Sequence, residues 1–204
     1  MKPFRTLTAL AAPLHRHHVD TDTIIPKQFL RGIRRDLSRW AFFDWRYLEG
    51  DESQENPAFT LNQPRYRGAK ILVTGENFGC GSSREQAPWA LVDSGLRCII
   101  AGSFADIFYN NCIKNGLLPI RLQAAELAEL KAAVEGEQPI QITIDLAAQT
   151  LQATNGFRQS FDIAPTDKTM LLEGLDDIAL TQTSAAKIKA FEKTHQERFP
   201  WLML

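Results

Sequence analysis

Between residues 70 and 136 the chain alternates short apolar runs with longer mixed segments. KILVTG (70–75), RCIIAG (97–102) and LLPIRL (117–122) are too short for ordinary helices and almost continuously apolar, the pattern of strands buried on both faces. Between and after them, APWALVDSG (87–95), SFADIFYNNCIKNG (103–116) and AAELAELKAAVEG (124–136) predict helices. Gly95 and Gly116 mark two helix ends, and Ser103, with Asp106 three residues on, predicts an N-cap. Strand, helix, strand, helix, strand in this order predicts parallel strands joined by crossover helices. After Pro139 the period changes. PIQITIDLAAQTLQATNGFRQSFDI alternates apolar and polar residues and turns at Asn155-Gly156, which predicts an antiparallel hairpin or meander.

The flanks are less regular. FRTLTALAAPL (4–14) predicts a first strand, followed by the polar stretch HRHHVDTDTIIP. Pro26 then permits a helical segment, KQFLRGIRRDLSRWAFFDWRY, whose aromatics Trp40, Phe42, Phe43, Trp45 and Tyr47 are expected in the core or at a contact between subunits. Residues 49–68 are polar and hold two prolines, as a flexible connection or flap would. Two helical segments, DKTMLLEGLDDIALT and SAAKIKAFEKTHQERF, close the chain. The expectation is one α/β domain over residues 1–204: a parallel strand–helix core plus a C-terminal antiparallel hairpin and helices.

Composition narrows the function classes. With 44% hydrophobic and 23% charged residues, 204 residues suffice for a buried core in a soluble protein. A net charge of −1 argues against a nucleic-acid binder, and the basic run RGIRRDLSR (31–39) reads equally as a solvated helix face. No apolar segment reaches the roughly 20 residues of a membrane span. The N-terminal MKPFRTLTALAAPL is short and broken by threonines and Pro13, so it reads as a strand and not as a signal peptide. Cys80, Cys98 and Cys112 are odd in number, widely spaced and lack a C-x-x-C pair. That pattern opposes a disulfide framework or a metal cluster held by this chain alone, and points to the cytoplasm.

The candidate chemistry lies in GENFGCGSSREQAPWAL (75–91), directly after a predicted strand. It is not a Walker A loop, since no lysine lies between Lys70 and Lys114. The dinucleotide fingerprint fits Gly79 and Gly81 but would put its third glycine at Arg84. C-G-S-S-R around Ser82 is not a nucleophile elbow. What remains is a glycine turn leading to a helix start with two hydroxyls and a guanidinium. Ser82 with Glu85, and Ser83 with Gln86, have capping-box spacing, while Pro88 delays the first regular turn to as late as residue 87. Free amides, the helix dipole and the fork of Arg84 predict an anionic ligand, in particular a carboxylate. The bland alternative is two capping serines and an Arg84–Glu85 pair. The sharper one is a serine whose alkoxide is stabilised enough to act as a base. Proton removal beside a carboxylate also needs an electrophile on the leaving group, and this chain shows no metal site to supply one.

The same stretch resembles the signature of the small subunits of 3-isopropylmalate dehydratase, which correspond to the swivelling β/β/α domain of aconitase. VDTDTIIPKQF (19–29), FFDWRY (42–47), AGSFADIFYNN (101–111) and LLEGLDDIALT (171–181) resemble that family in the same order. The resemblance implies isomerisation of 2-isopropylmalate to 3-isopropylmalate through 2-isopropylmaleate in leucine biosynthesis. It implies that a separate large subunit holds a 4Fe–4S cluster, and that this chain holds no cofactor. Carried across, it makes Ser82 the proton-abstracting base, Ser83 and Arg84 contacts of the substrate carboxylate, and Asp22 and Arg35 further substrate contacts. Two positions depart from the family pattern. Gln86 stands where histidine is usual, and Arg35-Asp36-Leu37-Ser38-Arg39 replaces R-T-G-F-G near the substrate side chain. Citramalate or another substituted malate as substrate, or a non-catalytic dicarboxylate-binding module, therefore stay open on sequence.

Overall fold

The computed structural model describes residues 1–30 and 36–202. Its strands are β1 (Thr6–Pro13), β2 (Tyr47–Leu48), β3 (Asp51–Glu55), β4 (Ile71–Val73), β5 (Cys98–Ala101), β6 (Leu118–Arg121), β7 (Gln141–Asp145), β8 (Thr150–Ala153) and β9 (Arg158–Ser160). Its helices are α1 (Thr21–Ile24), α2 (Phe43–Arg46), α3 (Gln86–Asp93), α4 (Asp106–Lys114), α5 (Ala124–Glu135), α6 (Pro165–Glu173), α7 (Asp177–Gln182) and α8 (Ala185–Arg198). One mixed sheet has the order β6-β5-β4-β1-β7-β8-β9. Its first four members are parallel, with Ala11 opposite Ile71, Ile71 opposite Cys98 and Cys98 opposite Leu118. From β1 onward the pairing is antiparallel, as the alternating pattern after Pro139 predicts.

The central strands are apolar on both faces because both faces are covered. On one side Ile71, Val73, Cys98, Ile100, Leu118 and Ile120 meet Leu127, Leu130 and Val134 of α5 and Met170 and Leu171 of α6. On the other, Leu72, Ile99 and Ala101 meet Leu91 of α3, Phe108 and Cys112 of α4, and Ile24 and Phe42. At about 25 cal/mol per Å² of apolar area, these two layers supply the main stabilisation of the fold. Cys98 and Cys112 lie in opposite layers, fully buried, and burial pushes both thiols well up. They behave as small hydrophobes.

Four local expectations change. The segment 27–47 is not one helix. Lys27–Phe29 and Ser38–Trp40 are single 3₁₀ turns, and Phe42 has φ 57° before the short α2. Its aromatics decide this by packing inward: Phe29 stacks on Trp40 at 5.0 Å, Phe42 on Trp45 at 5.9 Å, and Phe42 and Phe43 are buried. Ser103 does not cap α4, whose N-cap is Ala105; its hydroxyl accepts from the Asn77 N–H instead, at 2.8 Å. Neither Ser82 nor Ser83 caps α3, which starts at Gln86 after an uncapped Glu85. The segment 167–181 holds parts of two helices, because Asp176 caps a new one, accepting from the Ala179 N–H at 2.7 Å.

Residues 49–68 contain β3, which pairs with β2, and two 3₁₀ turns. Asn62 donates to the carbonyls of Arg46 and Asn56 at 2.7 and 2.9 Å, and the Tyr66 hydroxyl donates to the Val134 carbonyl at 3.2 Å. The second half of the segment is thereby tied to the body, while most of β3 is exposed.

Candidate active site

The site is built where three parallel strands end. β1, β4 and β5 are neighbours, so the segments leaving their C-terminal ends run side by side, the usual location of ligand sites in open α/β sheets. The loop after β4 bonds to the loop after β1 at each step. The Gly75 N–H donates to the Arg16 carbonyl at 3.0 Å, His18 N–H to the Glu76 carbonyl at 2.9 Å, and Gly79 N–H to the Val19 carbonyl at 2.7 Å. Thr21 N–H then donates to the Cys80 carbonyl at 2.9 Å. On its other side the loop bonds to the segment after β5, with Phe78 N–H on the Ser103 carbonyl at 3.0 Å and Ala105 N–H on the Phe78 carbonyl at 3.1 Å. Beneath it Phe78 packs edge-on against Phe108 at 5.5 Å. Gly79, at φ +78°, is required twice over: the conformation is left-handed, and a Cβ would lie 2.6 Å from the Cβ of Phe108.

The chain therefore arrives at Ser82 on a fixed track. Thr21 grips its backbone from both sides. The Thr21 hydroxyl donates to the Ser82 carbonyl at 3.0 Å, and the Ser82 N–H donates to that hydroxyl oxygen at 3.1 Å. The Ser82 and Ser83 side chains stand exposed, and neither hydroxyl has a hydrogen-bond partner among the described residues. The Ser83, Gln86 and Ala87 amides likewise have no backbone acceptor among the described residues, as expected at the start of a helix.

Arg84 turns back across the loop instead of pairing with Glu85. Its Nη1 and Nη2 donate to the two carboxylate oxygens of Asp22 at 2.7 and 2.9 Å, and Nη1 also reaches the Ile25 carbonyl at 3.3 Å. Asp22 thus takes one edge of the guanidinium. The other edge, Nε with the remaining Nη2 proton, is a second fork for an incoming carboxylate. The Arg84 side chain is only 16% exposed, so its charge is weakly screened, whereas Asp22 is 54% exposed. Glu85 is drawn away by Asn115, which donates to it at 3.2 Å and itself accepts from the Trp89 indole at 2.8 Å.

Ser82, Ser83, Arg84 and Asp22 are thus brought together from segments 62 residues apart. Arg35 lies outside the described residues. Gln86 opens α3, half-buried. The residue that sequence reasoning undervalued is Thr21. Its position in the D-T-D triplet was visible, but its grip on Ser82 needs the parallel pairing of β1 and β4. At Cys80, in the same loop, burial and then the Asp20 carboxylate push the thiol up, which disfavours the thiolate that a nucleophile needs. The chain's cysteines do not suit an iron–sulfur cluster either. Cys98 and Cys112 are sealed in separate core layers, and among the described residues no group of three His, Cys, Asp or Glu could hold a metal ion.

Comparison with known proteins agrees with this architecture. Residues 1–125 match the family model of the aconitase C-terminal domain, which ends shortly after β6. Residues 128–165 match a model described as LeuD_N, and residues 177–203 match that of the C-terminal domain of the 3-isopropylmalate dehydratase small subunit. The chain is 54% identical to the 3-isopropylmalate dehydratase small subunit of Neisseria gonorrhoeae, with 99% of each chain covered. It is 53% identical to that of Neisseria meningitidis serogroup C over the same shares. The crystal structure of 3-isopropylmalate dehydratase (leuD) from Methanocaldococcus jannaschii superposes with a TM-score of 0.65 at 28% identity, covering 91% of this chain and 99% of that one. With its Ser-Ser-Arg loop on an aconitase-type sheet and this similarity along its whole length, the chain belongs to the family of 3-isopropylmalate dehydratase small subunits.

Proposed function

We propose that this chain is the small subunit of a heteromeric hydro-lyase that interconverts 2-isopropylmalate and 3-isopropylmalate through 2-isopropylmaleate, in leucine biosynthesis. The observation that carries the mechanistic part is the double grip of Thr21 on Ser82 beside the Arg84–Asp22 pair. Ser82 Oγ is the base that takes the C–H proton next to a substrate carboxylate. Its alkoxide is favoured by the positive helix start and by Arg84 two residues on. The free fork of Arg84 and the Ser83 hydroxyl hold that carboxylate, and Asp22 fixes the guanidinium in plane. Arg35, which lies outside the described residues, is taken as a further substrate contact.

The hydroxide that leaves needs an electrophile, which this reading assigns to a 4Fe–4S cluster on the large subunit; the donors of this chain do not fit one. The chain acts as one swivelling domain, residues 1–204, that closes over the partner's site, with the exposed β3 end of residues 49–68 as its flap. Among the described residues no helix is long and apolar enough to cross a membrane. The reading places the enzyme in the cytoplasm, with a small dicarboxylate as ligand and without nucleic acid.

The test is anaerobic mixing with the cluster-loaded large subunit, following the unsaturated intermediate optically with 2-isopropylmalate and with citramalate. Turnover only on mixing, with isopropylmalate preferred, is expected. The Ser82→Ala chain should assemble normally and lose turnover by about a hundredfold or more. Near-normal turnover of the assembled variant would remove Ser82 from the base role, and citramalate turnover alone would move the enzyme to another substituted malate.

A further inference from the structure

Among the described residues no surface covers the C-terminal helix. None of the 14 residues of α8 is buried, and its principal neighbour is the turn Pro200–Leu202 at its own end. Yet it carries a row of large side chains at three- and four-residue spacing: Ile188, Phe191, His195 and Phe199. Phe191 and His195 stack at 5.4 Å, His195 and Phe199 lie 5.0 Å apart, and Trp201 meets Phe199 edge-on at 5.7 Å. Phe191 is 67% exposed and Trp201 70%. A helix of this length is marginal alone in water, and an aromatic stripe left wet gains nothing from its apolar area. Both facts call for a partner surface.

Three observations say which one. The aconitase-type match stops at residue 125, short of this segment, while a separate match belonging to small subunits spans residues 177–203, that is α7, α8 and the final turn. Relatives 53–54% identical to this chain match it over 99% of both lengths, so the segment accompanies chains whose name makes them subunits. The helix is also basic: Lys187, Lys189, Lys193 and Arg198 stand against Glu192 and Glu197. Lys187 and Arg198 lie four and seven residues from Phe191, along one edge of the stripe. We infer that α8 and its terminal turn are a docking element, inserting the Ile188–Phe191–Phe199 stripe into an apolar groove with an acidic rim on the large subunit. A chain whose catalytic loop must close over another subunit's site is thus held by an element remote from that loop in sequence.

This inference rests on the proposed function, and its test reads assembly apart from turnover. The full-length chain, labelled at its N-terminus, is titrated with cluster-loaded large subunit under anaerobic conditions, and Kd is read by fluorescence anisotropy. Phe191→Glu should raise Kd by about tenfold or more, as for loss of a central aromatic contact. A chain ending at Thr183 should not assemble. Ala190→Glu, on the opposite side of the helix, should bind as the parent does. Because Phe191 contributes nothing to the core, its variant should melt with the parent. Parent-like Kd for both Phe191→Glu and the truncated chain would overturn the inference. So would a homodimer of the isolated chain that Phe191→Glu dissolves while large-subunit affinity is unchanged, since the stripe would then serve a second copy. A parent complex that assembles but turns over no substrate would instead count against the proposed function.

Discussion

Gly79→Ala tests whether the track beneath the Ser-Ser-Arg loop is as rigid as its contacts imply. The new Cβ must occupy a left-handed residue at φ +78° and lie 2.6 Å from the Cβ of Phe108, closer still to its ring. Phe108 is buried and has Phe78 and Phe104 against it, so it has little room to yield. The backbone component alone is worth about 1–2 kcal/mol. Overpacking a filled core adds typically about 1–3 kcal/mol more. Gly95 supplies the control: it also has positive φ, +99°, but nothing lies within 4 Å of the Cβ position, so Gly95→Ala measures the backbone component without the collision. For a chain of this size each kcal/mol lowers Tm by about 2–4 °C, so Gly79→Ala should melt roughly 2–12 °C below Gly95→Ala. Differential scanning calorimetry on both variants reads this directly. Phe108→Leu in the Gly79→Ala background should recover part of the loss through coupling at the shared site. Turnover in the assembled enzyme should also fall for Gly79→Ala and not for Gly95→Ala, because moving Gly79 moves its bond to Val19 and hence Ser82. Equal melting of the two alanine variants would refute the argument that Phe108 cannot give way.

Arg84→Lys keeps the charge but removes both forks. With charge-assisted hydrogen bonds worth about 1.5–3 kcal/mol, kcat/KM of the assembled enzyme should fall roughly ten- to a hundredfold, and unchanged kinetics would exclude a bidentate carboxylate contact. The Cys80 thiol is pushed up from its ordinary value, so less of it is thiolate at any pH near neutrality. Iodoacetamide should label it more slowly than a free model thiol at pH 8, with the gap closing above the ordinary thiol range. Cys98 and Cys112 should label only on unfolding. Fast labelling of Cys80 at pH 8, read by mass spectrometry, would contradict its neutral state.

The succession of strands and crossover helices along the chain, the meander after residue 139 and the place of the Ser-Ser-Arg loop after β4 were all legible from the chain alone. Apolar runs at KILV and CIIA can be satisfied only by burial on both faces, and Asn155-Gly156 suits the turn it makes. These are local choices, settled by spacing and turn chemistry. Other features were decided between distant segments. The aromatics of 40–47 suited a helix locally, yet stack inward on broken turns, with Phe42 and Phe43 buried. Ser82, Ser83 and Ser103 had cap spacing, but the parallel alignment of β1, β4 and β5 gave the loop other partners: Thr21 for the Ser82 backbone, and Asn77 for Ser103. Arg84 could reach Glu85 or Asp22, and strand order chose Asp22 by laying the two loops together. The sequence by itself determined the central strands and crossover helices and the residue types of the candidate site. Which hydroxyl stands free and which guanidinium edge remains open were decided by tertiary structure alone, because hydrogen-bond partners are assigned by proximity in space and not along the chain.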